Sequence, residues 1–191
     1  MIKVALVGNI ASGKSTVENI LKDKGYPVLD TDFVAHELLA GNKDVLLAFK
    51  DCDILEDEKI SRTKLGKLVF TNPELKLKLE SILHPLIKDK ILEFFSDNQD
   101  ATYVFVAIPL LFEANMEDIF DKILFIYSDD EIRLQRLIKR NGYDVEYAKC
   151  RMNSQLSQDM KVNKADWIIY NNSTIETLKE SVSSLLTSKI R

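Results

Sequence analysis

An eight-residue stretch near the amino end of the chain, GNIASGKS (Gly8–Ser15), has two glycines, a lysine and a serine at the spacing of a Walker A loop. Glycines at the first and sixth positions permit backbone conformations that are strained for other residues, so the loop amides can point inward at phosphate oxygens. The lysine is expected to reach the β- and γ-phosphates of a nucleotide, and the serine is expected to hold Mg²⁺. The predicted ATP site consists of Gly8, Asn9, Ile10, Ala11, Ser12, Gly13, Lys14, Ser15 and Thr16.

Two carboxylates follow the next apolar stretch, in the sequence VLDTDF. In an extended chain, Asp30 and Asp32 would face the same way, at the end of a parallel strand where ligands bind. Asp32 is therefore predicted to accept the proton of an attacking hydroxyl or to bind Mg²⁺ through water, although it could instead cap the next helix. For Asp30 we expect a polar contact with the substrate.

Three arginines, Arg133, Arg136 and Arg140, recur at helical spacing in the stretch IRLQRLIKR. Such a basic stripe is often only a solvated helix face. In a protein with a Walker A loop it could also close over a triphosphate and neutralise charge during phosphoryl transfer. Arg136 and Arg140 are the favoured catalytic candidates, and Arg151 is a further candidate.

Two other nucleotide-dependent classes can be compared with these motifs. The run Asn163–Asp166 spells the N-K-x-D of guanine-binding switches, but it precedes an apolar stretch instead of following one, so we interpret it as a coincidence. None of the six glycines has an aspartate three positions before it, as a switch motif requires. A mechanical ATPase should carry an acid at the end of an apolar strand, whereas Glu113 lies several residues beyond the run AIP.

Five apolar stretches and the helices between them must position these residues. The stretches are IKVALVG from Ile2, YPVLD from Tyr26, YVFVAIP from Tyr103, KILFIYS from Lys122 and DWIIYN from Asp166. Most are apolar on successive residues, which is typical of parallel strands that are buried on both faces. Helices are predicted over Lys14–Lys24, over Glu74–Asp97 after Pro73, after a capping box at Ser128–Glu131, and from Ile175 to the C-terminus.

The pattern predicts an α/β fold with a parallel five-stranded sheet flanked by helices, as in P-loop NTPases. Residues 1–191 are predicted to form a single domain that contains two elaborations. One is a helical insertion over about residues 40–98, and the other is a helical lid over about residues 129–160.

Composition narrows the range of partners. The 191 residues are 46% hydrophobic and 29% charged, with a net charge of −4 and two cysteines. This charge disfavours nonspecific binding to nucleic acid, and no apolar run reaches the length of a membrane helix. The cysteine count favours reduced thiols, so we expect a cytoplasmic protein with neither nucleic acid nor membrane as a partner.

The ordered set of motifs resembles the dephospho-CoA kinase family over about residues 2–180. The matching stretches are GNIASGKSTV, LDTD followed by VAHELL, ISRTKLGKLVF, LHPLI, IPLLFE, RLIKRNGY, RMNSQ and ADWIIYN. Pairing Asp-x-Asp with His-Pro and Pro-Leu-Leu-Phe-Glu is more specific than the Walker A loop alone. The resemblance implies that ATP phosphorylates the ribose 3′-hydroxyl of dephospho-CoA, in a protein that is a monomer or a small homo-oligomer.

The resemblance also implies roles for individual residues. Asp32 matches the catalytic aspartate of the family, and the loop residues match its ATP and Mg²⁺ ligands. Arg136 and Arg140 match arginines of its mobile lid. Its CoA-binding subdomain would include Arg62, His84 and Pro85, although His84 taken alone would be a structural residue before a helix-breaking proline. The chain departs from the family pattern at Asn9, Ala11, His36 and Tyr170.

Overall fold

The computed structural model describes residues 1–189, and its main feature is a five-stranded parallel sheet. In chain order, the strands are β1 (Ile2–Val7), β2 (Val28–Asp30), β3 (Leu55–Glu56), β4 (Lys59–Ile60), β5 (Tyr103–Ala107), β6 (Lys122–Tyr127) and β7 (Trp167–Tyr170). The large sheet has the order β2-β5-β1-β6-β7, and β3 and β4 form a separate antiparallel hairpin. The predicted parallel sheet is confirmed, with β2 two residues shorter than its apolar stretch.

Nine α-helices and a short 3₁₀ helix (Glu117–Ile119) accompany the strands within residues 1–189. The α-helices are α1 (Lys14–Asp23), α2 (Thr31–Leu39), α3 (Lys43–Ala48), α4 (Arg62–Thr71), α5 (Pro73–Asp97), α6 (Asp130–Asn141), α7 (Val145–Asn153), α8 (Gln158–Val162) and α9 (Ile175–Lys189). The last helix was predicted to reach the C-terminus, and residues 190 and 191 lie outside the described part. No helix within residues 1–189 combines the length and apolar character that a membrane span requires.

The register of the sheet explains where the functional loops emerge. Leu6 of β1 and Asp30 of β2 both pair with Ala107 of β5, from opposite sides. The carboxyl ends of β1 and β2 are therefore level, two strand spacings or roughly 10 Å apart. All of β5 and the second half of β1 are buried, as expected for a sheet covered on both faces.

The chain divides into two compact units, one with residues 1–30 and residues from 95 onward, the other with Thr31–Phe94. The first unit contains the large sheet, whose core packs against apolar residues of α1 and α9 such as Val17 and Val182. The second unit contains α2 to α4, most of α5 and the small hairpin. Its own core consists of Leu39, Val45, Phe49, Ile54, Leu65 and Leu83.

Three local expectations are wrong. The chain is not extended through Asp32, because α2 begins at Thr31, directly after β2. Ser128 does not cap α6, because the N-cap position is Asp129 and the Ser128 hydroxyl is bonded elsewhere. Pro85 does not break its helix, since α5 continues through it. Pro85 is exposed on α5, so water can bond to the Ser81 carbonyl that lacks an N–H partner there.

Candidate active site

The loop between β1 and α1 has the geometry of a phosphate cradle. Gly13 adopts a left-handed conformation with φ of +98°, and α1 begins at the next residue. The amides of Lys14 and Ser15, at the start of α1, therefore have no acceptor within the helix and are available to an anion. A Cβ at Gly8 would collide with the Ser12 hydroxyl, and one at Gly13 would collide with the Asn171 amide. Both glycines are therefore required by the close packing of this loop.

Ala11 occupies the left-handed region as well, with φ of +63°. That conformation costs an alanine roughly 1 kcal/mol relative to glycine. The cost agrees with the expectation that alanine at this position, where the family pattern differs, makes the loop less free to change its conformation. The surrounding contacts hold the loop in place. The Ser12 amide donates to the Asn9 carbonyl at 3.0 Å, and the amides of Thr16 and Val17 donate to the Gly13 carbonyl.

The lysine of the loop is held by a neighbour on its own helix. Lys14 Nζ lies 2.8 Å from Glu18 Oε1, and the side chains of both residues are largely buried. Glu18 was not among the predicted site residues, although its position four residues after the lysine places it on the same face of α1. The ammonium group predicted to bind phosphates is therefore paired with a carboxylate in this structure.

Asn171, directly after β7, supports the loop through a side-chain hydrogen bond, and this support is called the Asn171 brace below. Its side-chain Nδ2 donates to the Ser12 carbonyl at 2.7 Å, and its backbone N–H donates to Tyr127. Its own carbonyl accepts hydrogen bonds from Arg136 at 3.0 Å and from the Ser128 hydroxyl at 3.0 Å. Asn171 was missed from the sequence because it lies 159 residues from its loop partner.

Arg136 is half-buried against this brace. Its guanidinium also donates to the Ser128 hydroxyl at 3.1 Å. Burial lowers the pKa of Arg136 from its ordinary value, but a guanidinium remains protonated in proteins. The predicted lid arginine is thus fixed between the ends of β6 and β7.

The remaining arginines differ in placement. Arg133 is almost fully buried, donating to Asp130 at 2.7 Å and to the loop carbonyl of Ile10 at 3.3 Å. Arg140 is exposed at the end of α6, where its Nε donates to Asn141. Arg151 is half-buried in α7. The structure therefore brings Arg133 and Arg136 to the loop region, whereas Arg140 lies one turn further along the helix.

The connection between α7 and α8 also contacts the loop. Gln155 Oε1 accepts a hydrogen bond from the Ile10 amide at 2.8 Å, and the Leu156 carbonyl accepts one from the Asn9 side chain at 2.9 Å. Asn9 is buried, and its Oδ1 has no partner among residues 1–189. This departure from the family pattern therefore adds a contact that a glycine could not make.

A buried ion pair lies beneath the same connection. Lys161, whose side chain is 1% exposed, contacts Glu113 at 2.8 Å, and Glu113 also accepts a hydrogen bond from the Leu156 amide. Glu113 is the acid of the IPLLFE stretch. Its observed contacts connect the segment after β5 to α8 and to the connection before it.

The N-K-x-D run has a structural explanation. Its aspartate, Asp166, accepts hydrogen bonds from the Ile123 amide and from Lys122, both at the start of β6. That is the amino-end edge of the parallel sheet, opposite the phosphate loop. These contacts agree with our interpretation of the run as a coincidence.

The other predicted residues lie on β2, α2, α4, α5 and α1. Asp30 is half-buried at its last position, and Asp32 is exposed in the first turn of α2. Arg62 is exposed at the start of α4, while His84 is half-buried in α5. Ser15, the predicted Mg²⁺ ligand, is exposed in the first turn of α1.

Comparisons with known proteins are consistent with this geometry. A family model described as dephospho-CoA kinase matches residues 2–177. A dephospho-CoA kinase from Oceanobacillus iheyensis is 40% identical over 189 residues, covering 96% of this chain and 95% of the relative. One from Carboxydothermus hydrogenoformans is 39% identical over 191 residues, covering 96% of this chain and 92% of the relative.

The fold of this chain is also similar to those of solved structures. Dephospho-CoA kinase from Campylobacter jejuni superposes with a TM-score of 0.73 at 32% identity, covering 98% of this chain and 96% of that one. Shikimate kinase from Acinetobacter baumannii, solved with shikimate, superposes at 0.60 with 15% identity, covering 100% of this chain and 96% of that one. At that identity the second likeness concerns the fold alone.

Proposed function

The chain belongs to the dephospho-CoA kinase family, which phosphorylates dephospho-CoA with ATP in the last step of coenzyme A biosynthesis, and we propose that it does so at the site described above. The observation that carries this proposal is the level alignment of two strand ends. β1 leads into the phosphate loop, and β2 ends at Asp30, directly before the helix that holds Asp32. Parallel sheets bind ligands at this edge.

The loop residues fit a triphosphate. Three features of the loop suit an anion with many acceptor oxygens: the amides of Lys14 and Ser15, the left-handed Gly13, and the buried Ser12 hydroxyl, which has no partner within residues 1–189. Residues Gly8 to Thr16 would surround the phosphates of ATP. Lys14 would bind the β- and γ-phosphates.

A hydroxyl and a carboxylate also fit Mg²⁺, which is usually bound by one or two protein oxygens together with substrate phosphates. Ser15 would hold the ion directly, and Asp32 would hold it through water; both side chains are exposed. When bound, Mg²⁺ would neutralise charge on the phosphate oxygens.

We assign the proton transfer to Asp32. Its carboxylate would orient the ribose 3′-hydroxyl of dephospho-CoA and accept its proton while the oxygen forms a bond to the γ-phosphorus and ADP leaves. Asp30, at the last position of β2, would contact the same substrate.

Arg136 and Arg140 would stabilise the phosphoryl group during transfer and help to exclude water. Arg136 is held in the first unit by Ser128 and Asn171, whereas Arg140 is exposed and can turn toward a ligand. Residues 129–160 are proposed to act as the lid. Because water excluded from the site cannot attack the γ-phosphorus, ATP hydrolysis would be suppressed.

The acceptor is proposed to bind in the helical insertion over about residues 40–98. Arg62, at the exposed start of α4, offers a guanidinium to a phosphate of dephospho-CoA. His84 and Pro85 lie next to each other in α5 and would form part of the same surface. We further propose a monomer or small homo-oligomer in the cytoplasm, in keeping with the free thiols of Cys52 and Cys150.

The test is the Asp32→Asn variant, compared with Asp44→Asn. Asp44 is also an exposed acid in the first turn of a helix, so it is a matched control for loss of charge. We expect Asp32→Asn to lower kcat by about 10²–10⁴-fold while the Kd for ATP stays within about twofold. Near-normal turnover of Asp32→Asn would contradict the assignment of the base.

Measuring ADP release with different acceptors tests the reaction itself. Release should depend on dephospho-CoA and should stay low with nucleoside monophosphates or with no acceptor. Strong release with nucleoside monophosphates would indicate a nucleotide kinase. Release without any acceptor would indicate a regulatory ATPase.

A further inference from the structure

The pairing of Lys14 with Glu18 has a consequence for nucleotide affinity. Lys14 Nζ lies 2.8 Å from Glu18 Oε1, and the two side chains are 12% and 4% exposed. Charges this deeply buried are poorly solvated and weakly screened, so the attraction between them is stronger than in an exposed pair. Glu18 is therefore a strong partner for the lysine, unlike an exposed acid one turn along a helix.

The proposed site asks the same ammonium group to bind the β- and γ-phosphates. When a triphosphate binds, Lys14 must leave Glu18 or share its hydrogen bonds with the phosphate oxygens. In either case, a buried negative charge remains on the face of α1 next to a polyanion. Both the lost ion pair and the repulsion oppose binding, because poorly solvated charges are weakly screened.

We propose that Glu18 is a positioning residue that holds Lys14 in the nucleotide-free enzyme and thereby weakens binding of the ATP triphosphate. This inference rests on the proposed function, because it takes the loop to be the ATP site. It assigns Glu18 an effect on affinity through Lys14 and no direct contact with the reacting atoms.

The experiment measures Kd for ATP and for AMP by calorimetry in wild type, Glu18→Gln and Asp23→Asn. Asp23 is the last residue of the same helix and is exposed, so Asp23→Asn removes a charge from α1 without touching Lys14. AMP lacks the β- and γ-phosphates, so competition for Lys14 should not affect it. We expect Glu18→Gln to tighten ATP about fivefold and to leave AMP within about twofold.

The outcomes separate this inference from the function on which it rests. Equal tightening of ATP and AMP, no tightening of ATP, or the same gain in Asp23→Asn would overturn the role of Glu18. A Lys14→Met variant that binds ATP as tightly as wild type would overturn the proposed ATP site itself. Melting curves of each variant without nucleotide show whether it is folded, and Glu18→Asp provides a second variant that keeps the charge on a shorter side chain. We expect its ATP affinity to lie between those of wild type and Glu18→Gln.

Discussion

The Asn171 brace provides the sharpest test of how the phosphate loop is held. Asn171→Ala removes the hydrogen bond of 2.7 Å to the Ser12 carbonyl. Asn171 is only 7% exposed, so water does not readily take the place of its amide. Leaving a buried carbonyl without its donor costs about 1–3 kcal/mol. At about 2 kcal/mol, a domain of this size should melt roughly 4–8 °C lower.

The matched control is the next residue. Asn172 is exposed, and its Oδ1 accepts a hydrogen bond of 2.9 Å from the Asp129 amide. Water can replace that acceptor, so Asn172→Ala should cost no more than about 0.5 kcal/mol, or roughly 1–2 °C. Calorimetric melting of the two variants and the wild type, without ATP, measures the difference directly.

Kinetics and a third variant complete the test. Because Asn171 contacts the carbonyl next to Gly13, Asn171→Ala should also raise the KM for ATP several-fold, whereas Asn172→Ala should not. Asn171→Asp keeps the shape but replaces the donor with a carboxylate facing the Ser12 carbonyl, so it should be less stable than Asn171→Ala. Equal melting temperatures for Asn171→Ala and Asn172→Ala, or an aspartate variant that melts like wild type, would refute the reasoning.

Two further predictions concern ion pairs in the first unit. Lys161→Met leaves the Glu113 carboxylate without its buried cation, so the free energy of unfolding measured in urea should fall by about 3 kcal/mol. Adding Glu113→Gln to the same chain removes the unpaired charge and should restore part of this stability. No recovery in the double variant would contradict the pairing. The second variant, Asp166→Ala, should lower the free energy of unfolding by about 1 kcal/mol at pH 7, a figure already reduced for the partial exposure of the pair to solvent. Burial raises the pKa of Asp166, but the hydrogen bonds from Lys122 and Ile123 lower it by more, so that it lies below its ordinary 3.8. Since that stabilisation is present above pH 3.8 and is lost as pH falls through the lower folded pKa, the difference in unfolding free energy should narrow only in acid. The same difference between wild type and Asp166→Ala should narrow again above pH 10.5, because the hydrogen bond to Asp166 raises the pKa of Lys122 above that value and the pair is lost once Lys122 is deprotonated. A difference in unfolding free energy that does not vary with pH would contradict the pair.

The sheet and the phosphate loop could be predicted because their signals are local. The three central strands are runs of apolar residues, as in Val4–Val7 of β1, and their burial on both faces leaves no alternation of polar and apolar residues to obscure the pattern. The loop requires glycines at two fixed positions, and the collisions that a Cβ would meet at Gly8 and Gly13 explain why. These requirements are satisfied within ten residues of sequence.

The supports of the loop could not be predicted because they come from distant parts of the chain. Asn171 and Gln155 both contact the loop, and both lie more than a hundred residues away from their partners. A single sequence has no feature that relates such positions. Glu18 is different: its spacing from Lys14 was visible, and only the burial of the pair distinguishes it from an ordinary surface pair.

Local patterns failed where two acceptable structures competed. The box from Ser128 to Glu131 fits a helix start, but the Ser128 hydroxyl bonds to the Asn171 carbonyl and Asp129 takes the N-cap position. Asp30 and Asp32 would share a face in a strand, but the chain turns into α2 between them. In each case, the tertiary partner or the next element decided the outcome.

The central position of β1 in the sheet affects the order of events during synthesis. Its two neighbours, β5 and β6, begin at Tyr103 and Lys122, so both leave the ribosome roughly a hundred residues after β1 does. Until then, the apolar strand that precedes the phosphate loop has no sheet to join. We therefore expect nascent chains that end before Tyr103 to bind holding chaperones through this segment and to acquire protease resistance only after β6 has emerged.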